Sequence, residues 1–295
     1  MRTEWKLAAI LAAAMAAASP ALAAGGETYD AGAPATNIQV SWRVYLAGVV
    51  LGKINFAATL KGEEYSAQST LETGGIVNAF WESRIMADSR GLIAGPRLVP
   101  AVYNSDTISE KSSQIVALGY TNGFPDKLTA EPKYDLTRFP VSDDDKRDTI
   151  DPLSAMVLAI SGVSASDAEP CGKQLPVFDG RRRYNVNFTY KDIVAVDEGK
   201  HDYRGGAYLC EMEYVQLAGF KPNLDPEKRA LPKIYAWMVP AERTDVAGAR
   251  AYLPEKIWAE PAFGQAVAQA RYAMVNGVTP SAILPAPETR SENRD

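Results

Sequence analysis

His201 is the only histidine in the 295-residue chain, so any histidine-dependent chemistry must run through it. Ser-His-Asp hydrolysis needs an imidazole to relay the proton. His201 lies in Asp197-Glu198-Gly199-Lys200-His201-Asp202, which reads as a solvated turn, and no Gly-x-Ser-x-Gly elbow offers a serine beside it. Phosphate-cradling chemistry is missing too: no Gly-x-Gly-x-x-Gly follows a strand and no Gly-Lys-Ser/Thr loop occurs. Asp143-Asp144-Asp145, with Asp148 and Asp151, could offer oxygens to calcium. The run lacks the glycine and distal glutamate of a calcium loop and contains Lys146-Arg147, so it reads as a solvated charge run. No cofactor and no metal are expected.

Cys171 and Cys210 are the two cysteines. A closed zinc site takes four ligands, which two cysteines and one histidine do not supply. An even count in an oxidising compartment favours a disulfide. That bridge closes a loop of about 40 residues and is worth roughly 4 kcal/mol in the chain-entropy account.

Arg181-Arg182-Arg183 places Arg181 and Arg183 on the polar face of an extended strand and turns Arg182 to the face of Tyr184. Guanidinium groups suit phosphate or carboxylate, as in lipid headgroups; ion pairing with nearby acids is the simpler reading. Trp42, Phe56, Trp81, Phe188 and Trp237 could line an apolar pocket, though most such residues are core. With Arg182 they are the candidate ligand-binding residues.

The elements that must position these groups follow a leader. Arg2 and Lys6 precede the apolar run Leu7 to Ala18, and Ala21-Leu22-Ala23 is a small-x-small site before Ala24. This is the pattern of a cleavable secretory signal over residues 1–23, cut between Ala23 and Ala24. The run is shorter than the roughly 20 residues of a membrane span, and no second long apolar run follows. The mature protein is therefore expected outside the cytoplasm, not membrane-spanning. Loss of Arg2, Lys6 and Glu4 with the leader takes the net charge from −5 to −6. An acidic chain without a basic block is a poor partner for nucleic acid.

Residues 24–36 read as a flexible arm. Period-two alternation then sets in: Ile38, Val40, Trp42, Val44 and Leu46, next Ile54, Phe56, Ala58 and Leu60, then Tyr65, Ala67, Ser69 and Leu71. Three such runs with short turns predict an antiparallel meander. Further strands are expected over 81–89, 97–107, 114–121 and 127–131, then a charged connector over 140–149. Asp151-Pro152 opens the best helix, Leu153 to Ile160, with Asp151 as cap and Gly162 as stop. Asp179-Gly180 predicts a tight hairpin. Tyr184, Val186, Phe188 and Tyr190 share one strand face, and Tyr208, Cys210, Met212 and Tyr214 another. Residues 233–239 read as a strand buried on both faces. Residues 250–258 read as a strand in which Pro254 marks an edge or bulge. Residues 263–275 suit a helix by their alanines and a strand by their alternation. A single β-rich domain over 37–275 and a disordered tail over 276–295 complete the expectation. The fold class is mainly β: an antiparallel, strongly curved sheet or incomplete β-barrel around one central helix.

Cys171-Gly172 followed by Leu175-Pro176-Val177-Phe178-Asp179-Gly180-Arg181-Arg182-Arg183-Tyr184 resembles the signature of an uncharacterised proteobacterial envelope family, domain of unknown function thirty-one-oh-eight. Tyr45-Leu46-Ala47-Gly48 to Gly52-Lys53, Asp151-Pro152-Leu153-Ser154, Cys210, Ala218-Gly219-Phe220, and Leu253-Pro254 to Phe263-Gly264 also fit, over about residues 37–272. That family carries no established activity, and it offers no catalytic residues to carry over. It is similar to periplasmic open β-barrels that wrap a helix, such as lipoprotein carriers. The resemblance implies a strand over 263–272, supports the Cys171–Cys210 bridge, and implies a periplasmic protein that binds a hydrophobic ligand, a lipid or an envelope protein. Two further readings remain open: a hydrolase of envelope polymers acting through paired carboxylates, and a subunit of an envelope assembly.

Mass spectrometry of the protein purified from its native compartment should give a mature amino terminus at Ala24; a chain beginning at Met1 would refute the export reading.

Overall fold

The computed structural model describes residues 34–74, 82–110, 112–163, 170–196, 203–221, 232–260 and 264–287. Seven strands come first: β1 (Ala35–Leu46), β2 (Val49–Lys61), β3 (Glu64–Thr73), β4 (Ser83–Ala94), β5 (Arg97–Ser109), β6 (Ser113–Thr121) and β7 (Phe124–Glu131). Two helices follow, α1 (Asp143–Lys146) and α2 (Pro152–Ile160). Then come β8 (Gln174–Phe178), β9 (Arg183–Val196), β10 (Gly205–Ala218), β11 (Ile234–Glu242), β12 (Arg250–Ala259) and β13 (Ala266–Val275).

All these strands join one antiparallel sheet in the order β7-β6-β5-β4-β3-β2-β1-β13-β12-β11-β10-β9-β8. Each half is a meander, and β1 pairs with β13 to weld the halves together, Val40 opposite Ala273 and Trp42 opposite Ala270. The predicted alternation sets the inner face: Ile38, Val40, Trp42, Phe56, Ala58, Leu60, Tyr65 and Ala67 are all buried. The sheet curls without closing. The turn between β8 and β9 is tucked against the β6–β7 end, where a Cβ on Gly180 would lie 3.0 Å from Val116 and 3.1 Å from Leu128. Gly180 has φ +94°, so both backbone conformation and space require glycine there.

Helix α2 fills the concavity, packed against β3, β4 and β5 from one half and β8 and β12 from the other. Asp151 caps it as expected: its Oδ1 accepts from the N–H groups of Leu153 (3.0 Å) and Ser154 (2.9 Å). Its Oδ2 accepts from Ser89 Oγ at 3.0 Å and from Ser154 Oγ. Tyr65 Oη and Ser154 Oγ share a hydrogen bond of 2.6 Å. A buried helix end needs partners for its free N–H groups, and this network supplies them from β3, β4 and the cap itself. At the other end Arg243 Nη1 donates to Ser161 O at 3.0 Å, and Arg243 is paired with buried Asp245.

Cys171 and Cys210 form the disulfide, with Cα atoms 5.7 Å apart. It ties the lead-in to β8 across β9 to β10.

Several expectations need correction. The charged connector contains α1, one helical turn with a Ser142–Asp145 capping box, and Asp143 and Asp144 pair with Lys146 and Arg147. The Asp-Gly hairpin is not a two-residue turn. Its loop runs from Asp179 to Arg182, because the Asp179 carboxylate accepts from the N–H groups of Arg181 (2.9 Å) and Arg182 (2.7 Å). Arg181 and Arg182 therefore lie in the turn, and the strand alternation drawn through all three arginines fails. The open choice over 263–275 resolves to a strand, β13, as the family resemblance implied; ladders on both sides outweigh alanine's helix propensity. Of the two readings of Pro254, the bulge holds and the edge does not: it lies at a bulge opposite Trp237 and Met238, on an interior strand. β11 is buried on both faces only in its later half, Met238 to Ala241. The arm's last two residues, Ala35 and Thr36, belong to β1, and its earlier part lies outside the described residues with the leader. The segment after β13, expected as a disordered tail, lies against β10 as far as Pro285: Gly206 N donates to Leu284 O at 2.7 Å.

Asp151→Ala should lower stability by about 3 kcal/mol or more, from a lost helix cap plus the stranded hydroxyls of Ser89 and Ser154. Urea unfolding checks this; a loss below about 0.5 kcal/mol, as at an ordinary surface site, would contradict the anchoring role.

Candidate functional site

A cleft of about 200 Å³ opens between α2 and the inner surface of β8 to β12. Small side chains make the space: Ala155 and Ala159 on the helix face Ala236 on β11. Longer, adaptable ones shape it: Met156 on α2, Met212 on β10, Met238 on β11 and Ile257 on β12. Phe188 and Tyr184 of β9 complete the wall, placed there by the two-residue period of the strand. Tyr184 brings the one polar side-chain atom among the lining residues, and burial pushes its phenol pKa up, so it stays neutral. The lining has no nucleophile, no acid or base active near neutrality and no metal ligand set. Its chemistry suits apolar contact alone. Methionines suit such a surface because their unbranched thioethers repack around different shapes. Drug-sized sites occupy roughly 300–1,000 Å³, so this cleft has room for a slender group and not for a bulky ring system.

The Tyr65–Ser89–Asp151–Ser154 network is the other concentration of reactive atoms. Ser89 is 2 % exposed, and Ser154 and Asp151 are fully buried. Burial pushes the Asp151 carboxyl up, while hydrogen bonds from Ser154, Ser89 and Leu153 pull it back. The cluster is closed to substrate and serves the helix. For paired-carboxylate hydrolysis, Asp88 of β4 and Asp106 of β5 share an open depression of about 360 Å³. Such chemistry needs one carboxyl kept protonated by its surroundings. Both acids stand on the solvent-facing side, and Asn104 Nδ2 donates to Asp88 at 3.0 Å.

The candidate residues scatter. Trp42 is 1 % exposed and donates from Nε1 to Pro254 O at 2.8 Å, reaching over the small Ala270 of β13. Phe56 is buried core. Trp237 stands on the outer face beside Trp258, with the Lys256 ammonium 4.7 Å from its ring centre. Arg182 lies over the Phe220 ring at 5.6 Å. Arg183 Nε donates to Asp145 O at 2.8 Å. The arginines thus brace the β8–β9 turn. Among the described candidates, Phe188 alone lines the cleft. Trp81, His201, Ala23 and Ala24 lie outside the described residues. Sequence reasoning missed the methionines; Met212 did fall on an inward-facing alternation, which was the available signal. Among the described residues no group of three or more His, Cys, Asp or Glu could hold a metal ion, and no helix is long and apolar enough to cross a membrane.

The family model described as protein of unknown function (DUF3108) matches residues 39–271. No curated protein matches the chain. Among solved structures, the chain is similar to a beta-barrel-like protein of domain of unknown function DUF1849 from Brucella abortus, at 9% identity and a TM-score of 0.45, covering 83% of this chain and 99% of that one. It is also similar to a DUF1329 family protein from Desulfovibrio piger, at 10% identity and a TM-score of 0.21, covering 84% and 89%.

One titratable group stands apart from both clusters. Glu255, the extra residue of the β12 bulge, is 4 % exposed, and burial raises its pKa from 4.5 to about 7. A carboxyl with a raised folded-state pKa adds stability below 4.5 that is lost as pH climbs to about 7. Glu255→Gln should therefore match the parent near pH 4 and exceed it by roughly 3 kcal/mol at pH 8. Parallel denaturation curves at the two pH values, with no widening gap, would contradict the assignment.

Proposed function

The chain belongs to the DUF3108 family of proteins of unknown function, and from that premise we propose that it is a non-catalytic envelope protein that takes a lipid acyl chain into the cleft beneath α2. The observation that carries this reading is the cleft itself, about 200 Å³ walled by Met156, Phe188, Met212, Met238 and Ile257 with no reactive side chain among them. Removing an apolar chain from water yields about 0.8 kcal/mol per methylene, so a few buried methylenes give useful affinity without any polar contact. The narrow bore selects against wide ligands. Work outside the cytoplasm is supported by the Cys171–Cys210 disulfide, which reducing compartments disfavour, and by the export pattern of residues 1–23.

The test is a titration of delipidated protein with cis-parinaric acid, whose fluorescence rises in an apolar site. Saturable binding is expected. Met156→Arg, which places a charge in the cleft from the partly exposed face of α2, should weaken it at least tenfold while leaving the circular dichroism unchanged. Absence of saturation, or equal affinity in the folded variant, would overturn the reading.

A further inference from the structure

A second cavity, of about 530 Å³, runs along one flank of α2, from residues 148–150 just before the Asp151 cap to Leu158 in the last turn. Its walls come from the β4–β5 turn and the start of β5 (Pro96 to Pro100), the β6–β7 turn (Asn122, Gly123), residues 148–150, Leu158 of α2, and the lead into β8. It is far more polar than the apolar cleft. Charged lining residues are Lys173, Arg97 and Asp148, two cations against one carboxylate.

Lys173 is held in an unusual way. Its Nζ donates to Leu158 O at 3.3 Å and Ala159 O at 3.4 Å, the last turn of α2. A cation is favourable at a helix C-terminus, and capping is the plain explanation of the residue. Capping alone does not satisfy the ammonium. Charge-assisted N–H···O bonds run near 2.7–2.9 Å, so both contacts are long, and the group has three protons to donate. No carboxylate is paired with it among the described residues. Burial depresses its pKa to about 8, with no opposing acid to restore it. A half-buried cation facing a cavity, with no paired carboxylate among the described residues, is an electrostatic deficit that an anion would fill. Arg97, exposed at the rim on the β4–β5 turn, adds a planar fork suited to oxyanions.

We propose that this cavity is an oxyanion-binding site in which Lys173 and Arg97 hold a phosphate or carboxylate group of a small ligand. The site is distinct from the apolar cleft and does not depend on it: a free metabolite anion or the headgroup of a lipid presents the same chemistry. Leu175 lines both cavities, so a lipid with its chain in one and its headgroup in the other is a geometry the test separates from a free anion.

Isothermal titration of the full chain with inorganic phosphate is expected to show one saturable site. Lys173→Met should weaken it at least tenfold and Arg97→Gln several-fold; Arg97 is exposed, so its variant reports even where loss of Lys173 impairs folding. Saturating phosphate should also move the Lys173 titration, followed by NMR of the labelled amine, upward from about 8. A second arm uses dihexanoyl phosphatidic acid. Affinity equal to that of phosphate assigns the site to a free anion, and affinity at least tenfold tighter assigns it to a headgroup. No saturable binding of either probe, or unchanged affinity in both variants, would overturn the site.

Discussion

A nine-residue apolar helix buried inside a curled sheet has to find partners for its end groups, and everything else in this protein follows from how α2 does so. Asp151 satisfies the amino end with help from Ser89 and Ser154, and Tyr65 closes the ring of hydroxyls. Arg243 and Lys173 approach the carboxyl end, placing positive charge where the helix dipole is negative. These partners sit on β3, β4, the lead to β8 and the end of β11. The helix therefore fixes the curvature of both halves of the sheet at once.

Openness of the sheet is a consequence. The β6–β7 end and the β8–β9 turn overlap around the Gly180 contact without exchanging ladder hydrogen bonds, since β7 and β8 are the two ends of the strand order. Arg181 over Tyr134 and Arg182 over Phe220 brace that turn, and the disulfide holds β8 to β10 behind it. With the helix pinned at its ends and lined by alanines toward β11, the space left over is a narrow apolar slot on one flank and a more polar cavity on another. Both candidate binding features are thus by-products of the same anchoring.

Much of this was readable from residue order. Period-two runs marked β1, β2 and β3, Asp151-Pro152 marked the start of α2, and the cysteine pair marked the bridge. What escaped was set by contacts distant in sequence. Ala270 of β13 stands opposite Trp42, whose indole reaches on to Pro254 O, a pairing invisible within the segment itself. Trp42 and Trp237 have the size of cleft residues, yet one is locked in the core and the other faces outward. The cleft belongs to methionines and alanines, whose composition gives no hint of a wall or a gap until the strands are placed in register. Nothing in the local sequence marks Lys173; only the helix end packed beside it gives it significance.

The most direct examination of the central claim is a crystal of the protein grown with a fatty acid carrying bromine at its chain terminus. An anomalous bromine peak between Met156 and Met212 is predicted, with α2 in place. A peak confined to the outer surface, or a slot found filled by those methionine side chains, would contradict the account.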